Sequence, residues 1–98
     1  MYDGQNGPMI EVSAARAGDG WIANVCVQQG ITRTRHRVLV SDDDLHRYGA
    51  TDVVDLVRRS FEFLLEREPA TSILREFGIR EIERYFPEYR EEITRRTV

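Results

Sequence analysis

A thiol at Cys26, imidazoles at His36 and His46, acids at Asp42, Asp43 and Asp44, and arginines at Arg33, Arg35 and Arg37 are the side chains of this 98-residue sequence that could do chemistry. Nucleophilic catalysis needs a base within hydrogen-bond reach of the nucleophile and a third group to orient that base. In the strand reading developed below, Cys26 and His36 fall on opposite faces, so they make no dyad. Asp42 and His46 stand one helical turn apart, but a structural zinc site takes ~4 protein ligands, and neither CxxC nor HExxH accompanies the pair. The three acids read instead as carboxylates complementing the N-terminus of a helix. Neither GxGxxG nor a GK[ST] loop occurs, which removes the usual phosphate cradles. The expectation is a non-enzymatic chain with no metal and no cofactor.

The arginines are the more pointed feature. Within TRTRHRVLVS, residues 32–41, alternate side chains of a strand share a face, so Arg33, Arg35 and Arg37 form a row, and Arg16 in the neighbouring strand is expected to join it. Guanidinium groups bind phosphate and carboxylate in bidentate fashion. The chain as a whole carries a net charge of -3, which opposes the phosphate neutralisation that nucleic-acid affinity rests on. A protein partner is therefore expected, with a nucleic-acid-binding regulator as the alternative. The plainest structural account of the row is the wet side of a half-buried strand.

The elements that must hold this row follow from the hydrophobic period. Ile10, Val12 and Ala14, then Trp21, Ala23, Val25 and Val27, then Val38 and Val40 alternate with polar residues, the mark of strands with one buried face. Gly18-Asp19-Gly20 and Gln29-Gly30 separate them with turn chemistry. A three-stranded antiparallel meander over residues 9–40 is predicted. With Gln29 and Gly30 as the turn, Cys26 faces Arg33, Asn24 faces Arg35 and Ile22 faces Arg37, while Val25 faces Thr34 and Ala23 faces His36.

Beyond residue 41 the period becomes helical. Ser41 caps a short helix that ends at Gly49, and Thr51 caps a long covering helix over 52–67 with Val53, Val57, Phe61, Leu64 and Leu65 as its stripe. Pro69 stops it. Short helical pieces fill the tail to residue 97, TSILREFG ending at Gly78 and a second run in which Pro87 kinks or restarts the helix. Residues 71–86 also match a degenerate helix-turn-helix, although Glu81 and Glu83 offset Arg80 and Arg84 in the helix that would read DNA. Phe77, Tyr85, Phe86 and Tyr89 either pack onto the domain or form a patch buried in a homodimer.

Length and composition agree with one α+β domain over residues 9–98, behind a flexible lead-in at 1–8. The chain is 41% apolar and 32% charged, as soluble globular chains are. Nothing approaches the roughly 18 apolar residues of a membrane helix, and the opening MYDGQNGPM is not a signal peptide. One cysteine makes no internal disulfide, which fits a reducing cytoplasm. All 14 basic residues are arginine.

GDGWIANVCV followed by TDVVDLVRRSFEFLLER resembles the HicB-like small antitoxin domain over residues 9–67, with Gly20, Trp21, Ala23 and Val25 matching its strand motif. The Pro-Gly-Cys segment usual there is replaced by VQQGITRTRHRV. The resemblance implies a small sheet with a packed helix, similar to half of an RNase H fold without its catalysis, that masks a small RNA-cutting toxin. Residues and resemblance together lead to the expectation of a non-catalytic protein-binding module, antitoxin-like or regulatory.

Overall fold

A computed structural model describes residues 7–97, so six residues of the 1–8 lead-in lie outside the described residues. Strands β1 (Met9–Ala17), β2 (Gly20–Gln29) and β3 (Thr32–Ser41) form successive antiparallel hairpins. Helices α1 (Asp42–Arg47) and α2 (Val53–Leu65) follow, then strand β4 (Glu76–Gly78) and helices α3 (Ile82–Tyr85) and α4 (Tyr89–Thr97). The fold is α+β, but the sheet is four-stranded and mixed rather than a three-stranded meander, because β4 lies parallel beside β3 in the order β1-β2-β3-β4. Among the described residues no helix is long and apolar enough to cross a membrane.

Both hairpins turn on a glycine with positive φ at the first loop position, Gly18 at 61° and Gly30 at 64°, which suits the right-handed twist of the flanking strands. The second loop is Gly30-Ile31, one residue later than expected. The cross-strand partners therefore slide by two: Cys26 faces Arg35, Asn24 faces Arg37 and Val25 faces His36. A shift of two keeps every side chain on its face, so the inside-outside assignment survives the error. Gly20 is not a turn residue but opens β2. A Cβ there would stand 2.7 Å from the Val40 carbonyl oxygen, so glycine permits the close approach of β3.

Helix α1 starts on a reciprocal cap: Ser41 Oγ accepts from the Asp44 N–H while the Asp44 carboxylate accepts from the Ser41 N–H. The cap of α2 is Asp52, not Thr51, its carboxylate accepting from the Val54 and Asp55 N–H groups. Helix α2 is shorter than the 52–67 span and buries more of its circumference than a single stripe. Val53, Val57, Phe61 and Leu64 join a core with Ala23, Val25, Val27, Val38 and Val40 of the sheet, and Leu56, Ser60 and Phe63 are buried as well. Ser60 and Phe63 meet Tyr89 of α4.

The tail departs most from the sequence reading. Ala70–Ser72 is a single 3-10 turn, the chain then runs extended, and Phe77 enters the sheet beside Val38 on the buried face. No α-helix forms over TSILREFG, and the helix-turn-helix at 71–86 is not built. The exposed edge of β3 supplies backbone partners that a helix would leave unpaired, and that long-range pairing overrides the local pattern. A second 3-10 turn, Ile79–Glu81, leads into α3, and Pro87 separates α3 from α4.

Candidate functional site

Among the described residues, one face of the sheet carries the helices and the other carries none. Register assigns to the bare face five cross-strand rows, namely Met9/Gln28/Arg33, Glu11/Cys26/Arg35, Ser13/Asn24/Arg37/Glu76, Ala15/Ile22/Leu39/Gly78 and Ala17/Gly20/Ser41. Arg33, Arg35 and Arg37 stand exposed along β3, at every second residue. None of the three has an ion-pair partner among the described residues, although Glu76 neighbours Arg37 and Glu11 lies two strands from Arg35 in the same row. An apolar strip closes the lower end, where Leu39 is 43% exposed beside half-buried Ile22.

Arg16 does not join them. It faces Trp21 in the ladder and therefore projects to the opposite side. There its guanidinium binds Asp42 through two 2.9 Å hydrogen bonds and lies 5.0 Å from the Trp21 ring centroid. The odd-even period of β1 already puts position 16 with Ile10, Val12 and Ala14 on the core-facing side, a local signal that the expected row overlooks.

Two of the three acids of α1, Asp42 and Asp44, are committed elsewhere. Asp42 holds Arg16, and its carboxyl is kept below the usual range by that guanidinium. Asp44 closes the cap and takes the Arg80 Nε at 2.5 Å. Glu83 accepts a two-pronged bond from Arg47, 2.9 Å in each arm, and a short bond from the Tyr48 hydroxyl. The Arg47 guanidinium first, and Tyr48 with it, hold the Glu83 carboxyl down to about 2. These pairs fasten α1 to the tail.

Cys26 is half-buried on the bare face and His36 is buried on the other, so thiol and imidazole are separated by the sheet. The His36 ring bridges two groups at 2.8 Å: Nδ1–H donates to the Leu74 carbonyl and Nε2 accepts from the Thr34 hydroxyl. Both bonds suit the neutral ring. Burial lowers the His36 pKa, the Leu74 carbonyl works against that, and the nearby Arg75 charge adds to it.

A pH dependence follows from the sign of that shift. Above the unfolded value of 6.5 the ring is neutral in both states. As pH falls below it, the unfolded chain binds a proton that the folded chain resists, so stability decreases. Denaturant melts from about pH 7.5 to about pH 5.5, above the carboxylate range, should show this loss, and His36→Gln should flatten it. An unchanged slope in the variant would assign the effect to another group.

Beside His36, at the edge of β3, lies a groove of about 410 Å³ lined by Arg33, Thr34, Arg35, Ala70, Thr71, Ile73 and Arg75. Sequence reasoning missed Arg75, having placed it in a helix. Ile73 and Phe77 stand four apart with Arg75 between them, a spacing that fits a helix turn at least as well as a strand.

The tail aromatics divide. Phe77 is 5% exposed and Tyr89 fully buried within the chain, whereas Phe86 is half-buried and Tyr85 is exposed. Tyr85 borders a small apolar cleft of about 190 Å³ with Leu64, Ile73, Phe77 and Phe86. Compared with protein-family models, curated proteins and solved structures, the chain has no match.

Proposed function

We propose that this chain is a non-catalytic protein-binding module, antitoxin-like or regulatory and cytoplasmic, that presents the bare face of its sheet to a partner surface rich in carboxylates. The observation that supports this most is the row Arg33, Arg35 and Arg37, exposed and without an ion-pair partner among the described residues, on a face no helix covers. Other arginines are held in ion pairs, among them Arg16–Asp42, Arg47–Glu83, Arg59–Asp55 and Arg96–Glu66. Like charges in a row repel one another, and a carboxylate surface would relieve that repulsion while the Ile22–Leu39 strip buries apolar area. Overall acidity, with a net charge of -3, favours a compact acidic patch over a long polyanion, which the rest of the surface would repel.

The test compares a labelled glutamate decamer with duplex DNA and single-stranded RNA of random sequence, by fluorescence anisotropy at about 150 mM salt. The peptide should bind more tightly than either nucleic acid and should lose at least ~10-fold in affinity in the variant with Ser at all three positions. That variant should fold with stability within about 1 kcal/mol of the parent, as exposed positions allow. Micromolar binding to generic nucleic acid, lost in the same variant and falling steeply with salt, would replace this reading with the nucleic-acid one.

A further inference from the structure

We propose that the free edge of β3 at Thr32–His36 takes up an extended acidic segment of the partner protein as an additional strand, in line with β4. This rests on the protein-binding reading and specifies the form of what binds.

The backbone sets the site. Strand β4 pairs only with Arg37, Val38 and Leu39, leaving the outer edge of residues 32–36 without a strand beside it among the described residues. A two-residue hairpin loop makes its flanking pair, here Gln29 and Thr32, a hydrogen-bonded one. Alternation then points the N–H and C=O of Thr34 and His36 toward β2 and those of Arg33, Arg35 and Arg37 away from it. The Arg37 N–H confirms this parity, for it donates to the Arg75 carbonyl at 2.7 Å on the β4 side. Arg33 and Arg35 thus offer two donors and two acceptors at an unoccupied edge, the template an added strand needs.

Side chains select the occupant. Arg33, Arg35 and Arg75 line the groove beside this edge, no carboxylate lines it, and none of the three guanidinium groups has an ion-pair partner among the described residues. Residues directly opposite in adjacent strands lie ~5 Å apart, so acids at every second position of an incoming strand would sit beside Arg33 and Arg35 on the bare face. The intervening residues would face Ala70 and Ile73, which asks for small apolar side chains. A second copy of this chain is a poor occupant. Antiparallel pairing of two such edges would set arginine against arginine, an arrangement that destabilises a ladder.

The experiment uses the full chain and three labelled peptides with blocked ends: Glu-Val repeated three times, the same peptide N-methylated at every Val, and the same peptide N-methylated at every Glu. All carry the same charge. In an added strand one set of peptide N–H groups points at β3 and the other at solvent, so one methylated peptide should lose at least ~10-fold in affinity and the other should keep most of it. Saturation with the parent peptide should slow amide exchange at Arg33 and Arg35, and Arg75→Ser, which leaves the arginine row intact, should weaken binding.

Equal affinity for all three peptides with no added protection at Arg33 and Arg35 would overturn strand addition while leaving an acidic partner on the sheet face. No binding of these peptides or of the glutamate decamer would overturn both readings. Tighter binding of a labelled 12-nucleotide RNA than of the parent peptide would do the same. A dimer of the chain alone with those two amides already protected would give the edge to a second copy and overturn the inference.

Discussion

Phe61→Ala is expected to cost about 3–5 kcal/mol in denaturant melts, the range found when a fully buried aromatic is removed. Phe61 is 1% exposed at the centre of the contact between α2 and the sheet. Its ring lies 5.2 Å from the His36 ring and 6.2 Å from Phe77, so it touches both β3 and the late strand β4. Truncation would leave a void bounded by the two strands and the helix. Closing that void would require the helix to approach the sheet, which the neighbouring Val57 and Leu64, both buried, prevent. A loss of this order is a large share of the ~5–15 kcal/mol stability of a typical domain. A measured loss below about 1 kcal/mol would show that α2 does not cover the sheet in solution.

Tyr89→Ala should be as severe, at about 3–5 kcal/mol, and it tests a different joint. Tyr89 is 0% exposed and packs edge-on against Tyr48 and Phe63, with ring centroids 5.2 Å away in both cases. Its hydroxyl lies 2.6 Å from Ser60 Oγ, which itself donates to the Leu56 carbonyl at 2.7 Å, so Tyr89 is the donor in the first bond. Burial raises the Tyr89 pKa, in keeping with a phenol that stays protonated. Tyr89→Phe removes only that bond and should cost ~1 kcal/mol. Exposed Tyr85 is the contrast, since Tyr85→Ala should stay within about 0.5 kcal/mol. If Tyr89→Ala were instead neutral for folding yet altered the molar mass by light scattering, α4 would be docking on a second copy and not on its own α2.

What the sequence by itself determined is the part governed by local period. Alternation from Ile10 to Val40 specifies which side chains face the core. It places Arg33, Arg35 and Arg37 together on the open face even though the loop was misplaced by one residue, because the resulting slip of two leaves each face unchanged. The cap at Ser41 and the apolar residues of Val53–Leu65 are equally local, resting on side chains within a few positions of one another.

Tertiary structure decided what depends on partners far along the chain. The face of Arg16 follows from the alternation of β1, but its partner does not: Asp42 lies 26 residues along the chain and only the folded sheet brings the two together. Residues 73–78 become extended because β3 has an unpaired edge to complete, and nothing within the segment announces that edge. The groove of Arg33, Arg35 and Arg75 exists only because β4 stops at Arg37. Local preferences amount to tenths of a kcal/mol per residue, whereas an unpaired buried backbone group costs ~1–3 kcal/mol. Where the two conflict, long-range pairing prevails, and it is in that part of the chain that reading the sequence alone fails.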